Sequence, residues 1–372
     1  MHGLAVPPLC PALGWERGRE TGAERGSSRR RATTTTTTCG IAAWLKRLPS
    51  RNSRLDFSST AVVGAGPQAL ALLVHLREAG VAPERLPRVV DDSGEFLSSW
   101  HANFAAQEIE YLRSPVVHHS GTEGMALREY AEAHHRMAEV RPAGKTAVPS
   151  QRLFAEYEAE LQDGLGGYAV HKGRVAMITP PLSPSGHFKV GLHSGDSFEA
   201  RRVVYCGGNG RPNVPAWVED ARAQCPAGRL LHSSEVSFPS IPDGELDGAH
   251  VAIVGGGLTS AHLAAGVLRR GGRVTLLARA PEIRVQWFDF PPIWVGAPRI
   301  DALGKEADYA LRADQVFEAR GGGSITPALL DVVLQAQAEG SASIMAGTDV
   351  SAVAWDASSR TWDISVCQGP LG

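Results

Sequence analysis

The sequence predicts an α/β protein built on two strand–helix–strand units, and three observations carry that prediction. Short apolar runs lead twice into a glycine-rich turn, at Gly64-Ala65-Gly66-Pro67-Gln68-Ala69 and at Gly255-Gly256-Gly257-Leu258-Thr259-Ser260. Each turn opens an apolar helical stretch, and a second short apolar run follows each stretch. Glycine is plentiful, 41 residues of 372, and many stand where apolar runs end, as tight strand-to-helix turns require.

Residues 1–57 differ from the rest. They carry Arg29-Arg30-Arg31 and a threonine run at 33–38, with no sustained helix or strand period. Such tracts cannot bury enough apolar surface to offset their ordering entropy, which predicts a disordered N-terminal tail. An organellar transit peptide shares the Arg, Ser and Thr content, but Glu16, Glu20 and Glu24 run against that reading.

The first unit opens with the strand Ala61-Val62-Val63. Its helix covers residues 67–79, with Gly80 as the stop, and its second strand, Arg88-Val89-Val90, ends in Asp91-Asp92. A helix is expected at 150–161. Residues 168–206 alternate in short runs (Ala169-Val170, Val175-Ala176-Met177-Ile178, Phe188-Lys189-Val190), which reads as antiparallel strands. Arg202-Val203-Val204-Tyr205-Cys206 then returns as a buried strand. The second unit repeats the first, with strand Val251-Ala252-Ile253-Val254, a helix to about residue 270 and strand Val274-Thr275-Leu276-Leu277. A Pro- and Trp-rich loop, a helical stretch and a hairpin-like segment at 343–366 complete the chain. The expected division is 58–245 plus 343–372 as one domain, with 246–342 inserted as another. This length accommodates two cores, since one core stops growing at roughly 250–300 residues.

The glycine turns carry chemistry. A dinucleotide pyrophosphate binds where a helix N-terminus offers unpaired N–H groups and the positive end of its dipole. The first glycine makes the turn, the second admits the phosphate to the backbone, and a third small residue lets helix and strand pack closely. Gly64, Gly66 and Ala69 stand in those positions in the first unit, and Gly255, Gly257 and Ser260 in the second. The fold class is therefore two Rossmann-like dinucleotide-binding domains. Asp91, at the end of its strand, can accept from a ribose hydroxyl pair, which suits FAD or NAD and repels a 2′-phosphate. In the second unit Arg279 takes the corresponding place, where a guanidinium can hold the 2′-phosphate of NADPH; the alternative is a solvated surface charge.

Other features narrow the classes. A formal net charge of −2 offers no field to recruit nucleic acid or an anionic membrane. No apolar run approaches the length of a membrane span, so a soluble protein is expected. Five cysteines without a CxxC pair suggest a reducing, cytoplasmic compartment. No metal is expected, because His118-His119 and His134-His135 are adjacent pairs without acids or cysteines at ligand spacing; His134 and His135 read as part of a polar helix face. Ser260 lies too far into its helix for a nucleophile elbow, and Cys206 reads as a small core residue.

The two turns, joined by Cys206-Gly207-Gly208-Asn209-Gly210-Arg211-Pro212-Asn213-Val214-Pro215, resemble those of the two-dinucleotide-domain flavoprotein monooxygenases. Tyr111-Leu112-Arg113-Ser114-Pro115 followed by His118-His119, and Trp287-Phe288-Asp289 followed by Pro292-Ile293-Trp294, are similar to stretches of the lysine/ornithine N-hydroxylase-like branch. The resemblance covers about residues 58–366. It implies FAD on the first domain, NADPH on the inserted second, and a small-molecule substrate oxygenated with O2 through a C4a-hydroperoxyflavin, with N-hydroxylation of an amine or amino acid as the branch's reaction. It further implies that Trp100 and Arg113 lie near the flavin or nicotinamide. Gly228, His232 and Ser233 match only part of the superfamily's fingerprint between the units. Members also continue past the last hairpin into elements that complete the FAD domain, whereas this sequence stops at 368–372, which implies a domain incomplete at its C-terminus. A flavoprotein reductase or oxidase without oxygen insertion, and a nucleotide-binding relative without activity, stand as the alternatives.

Overall fold

The computed structural model describes residues 59–208, 212, 214, 215, 217–291, 294 and 297–368; the expected tail at 1–57 lies outside the described residues. Two parallel sheets form the frame. In the first, His171–Lys172, Arg88–Asp91, Thr60–Val63 and Arg202–Tyr205 lie side by side in that order. In the second, His250–Val254, Arg273–Ala278 and Ala342–Ala346 do the same.

Thr60–Val63 is buried along its whole length, as an inner parallel strand covered on both faces should be. The helix Pro67–Glu78 packs over it. Proline at its first turn suits the start of a helix, where the missing N–H would have had no partner. Leu70, Leu73 and Leu76 recur at helical spacing and are fully buried with Val62, Val89 and Leu97. Each contributes about 1.5–3 kcal/mol by leaving water, and Leu73→Ala would cost about 2–5 kcal/mol with the cavity included. Gly80, at φ +87, ends the helix with its N–H on the Arg77 carbonyl.

The second core gathers Ile253, Ala264, Val267, Val274, Leu276 and Val333 around Phe238. The Phe238 ring lies directly on the helix Leu258–Leu268, where a Cβ at Gly266 would sit 2.1 Å from its Cζ. The helix Pro327–Ala338 packs beside the helix Leu258–Leu268 and contributes Val333 to that core.

The alternating stretch after residue 168 contains the expected antiparallel meander, Val175–Thr179, Phe188–Leu192 and Ser197–Ala200. It begins differently, because His171–Lys172 joins the parallel sheet beside Asp91, whose carbonyl accepts the Gly173 N–H at 2.8 Å. A hairpin of Val140–Ala143 and Thr146–Pro149, turning through Gly144 at φ +57, was not foreseen. The closing hairpin pairs Thr348–Asp356 with Thr361–Gln368. Ala342–Ala346, expected to open that hairpin, is instead the third strand of the second sheet, so a division after residue 342 cuts through a strand of that sheet. Ile344 explains the difference, packing on the second core from a parallel position beside Leu276. Among the described residues no helix is long and apolar enough to cross a membrane.

Candidate functional site

The two glycines of the first turn answer to different demands. Gly64 has φ +96, and a Cβ there would lie 2.5 Å from the Cys206 carbonyl oxygen, so backbone and packing both require glycine. Its N–H donates to the Val90 carbonyl at 2.8 Å and ties the turn to the neighbouring strand. Gly66 is extended, φ −76 and ψ −174, a conformation open to any residue. A Cβ at Gly66 would meet only the Gln68 side-chain oxygen, at 3.8 Å. Neither conformation nor self-packing calls for glycine at 66; its missing side chain keeps a space open at the start of the helix. No side chain caps that helix; Pro67 has no N–H and the Ala69 N–H donates to the Gly66 carbonyl at 3.0 Å, which leaves the Gln68 amide and the positive end of the dipole at an open helix start. Ala69, fully buried, packs beneath.

Asp91 closes the turn from the adjacent strand. Its Oδ2 accepts from the Ala65 N–H at 3.0 Å, and its Oδ1 accepts from the Ser93 N–H at 3.0 Å and the Ser93 hydroxyl at 2.6 Å. Burial pushes the Asp91 carboxyl up, but these hydrogen bonds outweigh it and hold the pKa below the ordinary value. The group is an anion at neutral pH. It braces the turn's own backbone.

The second turn repeats the division of labour. Gly255 has φ +139, donates its N–H to the Leu277 carbonyl at 2.8 Å, and would place a Cβ 2.6 Å from the Ser260 hydroxyl. Ser260 is buried beneath the turn, consistent with packing. Gly257 is extended at φ −107, and a Cβ there would meet only the Gly323 Cα, at 3.8 Å. No side chain caps the helix Leu258–Leu268 either. Arg279 stands exposed just past the strand Arg273–Ala278. Both turns thus fit a dinucleotide pyrophosphate by the same test: an uncapped helix start and a glycine that nothing in the chain itself requires.

Arg113 and Trp100 are placed differently from the turns. The Arg113 side chain is only 10% exposed and makes its salt bridge to Asp289 at 2.7 Å. Its Nε donates to the Trp287 carbonyl, and its Nη2 to the carbonyls of Gln286 and Phe288 and, at 2.7 Å, to the Ser324 hydroxyl. Every guanidinium nitrogen is engaged by protein oxygens. Trp100 stacks on Phe104 at 4.0 Å and leans on Phe154 at 5.2 Å, inside a hydrophobic cluster.

Two features escaped sequence reasoning. Gly321-Gly322-Gly323, a run outside both turns, brings Gly323 so close that a Cβ on it would lie 3.4 Å from the Gly257 Cα. Three successive glycines before Pro327 were the signal that could have found it. Glu108 binds Arg269 at 2.8 Å and Arg270 at 2.6 Å; hydrogen bonding from Arg270 pulls its carboxyl down to about 2 against the opposing effect of burial. Nothing in the local pattern announces that pairing.

The remaining candidates have structural settings. His119 accepts the Gly121 N–H and stands edge-on to Tyr157, and burial pulls its pKa down to about 4. His134 and His135 fall just past the helix Ala126–Ala133 rather than on its face, because the chain leaves the helix through His135 at φ +56. His232 caps the short turn Ser233–Glu235. Burial raises the Cys206 thiol. Among the described residues no group of three His, Cys, Asp or Glu could hold a metal ion. Pro292 and Ile293 lie outside the described residues.

Residues 56–287 match the family model described as L-lysine 6-monooxygenase/L-ornithine 5-monooxygenase. No curated protein matches the chain. Among solved structures, the ornithine N-hydroxylase of Kutzneria sp. 744 is similar with a TM-score of 0.59 and 15% identity, over 83% of this chain and 79% of that one. An ornithine hydroxylase from Pseudomonas aeruginosa gives 0.59 and 19%, over 83% and 80%. The cadaverine monooxygenase of Erwinia amylovora, solved with FAD bound, gives 0.59 and 15%, over 85% and 77%. At these identities the likeness is one of fold.

Proposed function

The chain belongs to the L-lysine 6-monooxygenase/L-ornithine 5-monooxygenase family, and from that premise we propose that it N-hydroxylates a small amine or amino acid, using O2, with FAD on the first turn and NADPH on the second. The observation that carries the assignment is the pair of uncapped helix starts, each beside a glycine whose Cβ position the chain leaves open. The Kutzneria structure holds reduced FAD, NADP+ and L-ornithine together, and the same three ligand classes suit this fold.

In this reading the backbone amides around Gly66 and Gln68 bind the FAD pyrophosphate, and ionised Asp91 accepts from the adenosine ribose while fixing Ala65 in the turn. The amides after Gly257 bind the second pyrophosphate, and exposed Arg279 pairs with the 2′-phosphate. The flavin, when bound, supplies the hydride-accepting and oxygen-activating chemistry. The protein's part is placement and the exclusion of water from the space between the two nucleotides.

Two measurements test this. The mass of the ligand released on denaturing the purified protein should be that of FAD, and NADPH oxidation should rise with an amine that emerges as its hydroxylamine carrying labelled oxygen from O2. A colourless protein that also fails to take up added FAD would sink the reading. NADPH consumption matched wholly by hydrogen peroxide, for every amine tried, would turn it into an oxidase.

A further inference from the structure

Resting on that reading of the second turn, we infer that Arg113 is a positioning residue for the nicotinamide nucleotide: it clamps the glycine loop 321–324 over Gly257 and so defines one wall of that nucleotide's site. The loop needs a clamp. Gly321 and Gly322 have φ +62 and +90; Arg284 packs against Gly321, but a Cβ at Gly322 would meet nothing within 4 Å, so the middle of the run is confined by no neighbour. Glycine also has the largest backbone freedom to lose on ordering, and three in a row form a wall only where their ends are pinned.

Both ends are pinned by arginine. Arg284 donates to the Gly321 carbonyl at one end. At the other, Arg113 Nη2 donates to the Ser324 hydroxyl at 2.7 Å and Nη1 to the Ser324 carbonyl at 3.4 Å. Ser324 is 2% exposed, and the fully buried Ile325 after it exchanges backbone hydrogen bonds with Arg284 and Gln286. The Arg113 backbone is held from the first-unit side, because Leu112 donates its N–H to the Pro149 carbonyl at 3.0 Å and Tyr111 bridges to Ser150. A continuous chain of contacts therefore runs from the Pro149–Ser150 corner through Arg113 and Ser324 to Gly323, which abuts Gly257. A planar fork with fixed donor directions suits this task; a lysine, a single point charge on a flexible stem, cannot reach the same set of oxygens together.

The test uses the full chain loaded with FAD and titrated with NADP+ alone by calorimetry, so that no turnover is needed. Arg113→Lys should retain FAD but bind NADP+ roughly tenfold more weakly, because binding must then supply the conformational entropy of ordering a residue or so of the unclamped loop. The amides of 321–325 should exchange with deuterium faster in the variant before NADP+ is added. Ser324→Ala, which removes a single hydroxyl and leaves Arg113 otherwise bonded, should shift both readouts the same way by less. A general packing role would instead lower FAD content together with NADP+ affinity, and that outcome overturns the inference. NADP+ binding and loop exchange that Arg113→Lys leaves unchanged overturn it as well. Failure of the unaltered chain to bind NADP+ overturns the functional reading and the inference with it, so the two failures are told apart.

Discussion

The two glycine turns share a backbone design and differ in how they are held. The first is braced from the strand beside it: Asp91 reaches back to the Ala65 amide, so the carboxylate at the end of that strand fixes the turn. The second lacks such an acid. Its next strand ends in exposed Arg279, and its support comes from Ser260 below and from the distant 321–324 loop across the gap at Gly257. One site is stiffened by its own unit, the other by residues far along the chain. The first should therefore tolerate damage to the second better than the reverse.

The largest effects should come from the open glycines. Gly66→Leu is expected to abolish FAD binding, and Gly257→Leu to abolish NADP+ binding while FAD stays, because each fills space that only a ligand uses. Both proteins should remain folded. Visible absorbance after gel filtration reads bound FAD, calorimetric titration reads NADP+, and circular dichroism reads the fold; an unfolded Gly66→Leu would mean that the glycine serves the fold after all.

Next come the turn glycines, where the damage should fall on the fold instead. Gly64→Ala and Gly255→Ala force a side chain into φ +96 and φ +139 and against an oxygen at 2.5 and 2.6 Å. The backbone strain alone costs about 1–3 kcal/mol. Denaturant unfolding of the purified variants measures it, and midpoints equal to the parent's would contradict the geometry.

A smaller effect separates the coenzymes. Arg279→Ala should weaken NADPH by about one to two powers of ten, the worth of a charge-assisted contact, and leave NADH nearly unchanged. Equal use of both coenzymes by the parent would remove Arg279 from the site.

The smallest is a pH effect on the first turn. Asp91 is held below its unfolded pKa, so its contribution to stability is complete above the ordinary carboxylate range and is lost as pH falls through the lower folded value. Asp91→Asn should therefore be less stable than the parent at neutral pH, with the difference shrinking below about pH 4. Unfolding curves across that range decide it; a gap that widens on acidification would show the sign to be wrong.

Local patterns were legible where local chemistry decides. The expected helix at 67–79 is found as Pro67–Glu78, and the second-unit strands extend by a residue or two from where the apolar runs placed them. Both glycine turns fall where their spacing put them. What stayed hidden depends on partners far away in the chain. Ala342–Ala346 has a short, half-exposed pattern that fits a hairpin as well as a sheet edge, and only its pairing with Arg273–Ala278 decides. Arg113 sits in a stretch whose resemblance pointed to the flavin or nicotinamide, yet its oxygens come from residues 286–289 and 324, a separation no window can span.

The ionic contacts of Glu108 carry a mechanical consequence. Glu108, held at φ +51 two residues past the helix Ser98–Ala106, ties that end of the first unit to Arg269 and Arg270, at the close of the helix Leu258–Leu268. Arg113 and Asp289 make another tie elsewhere. The Glu108 tie does not stand alone: Gln107 beside it donates to the Ser233 carbonyl at 3.4 Å, and Trp287 packs against Gly144 next to the Arg113 bonds. Like stitches along a seam, such ties share a load, so cutting Glu108 alone should loosen the helix Leu258–Leu268 against the first unit without freeing it.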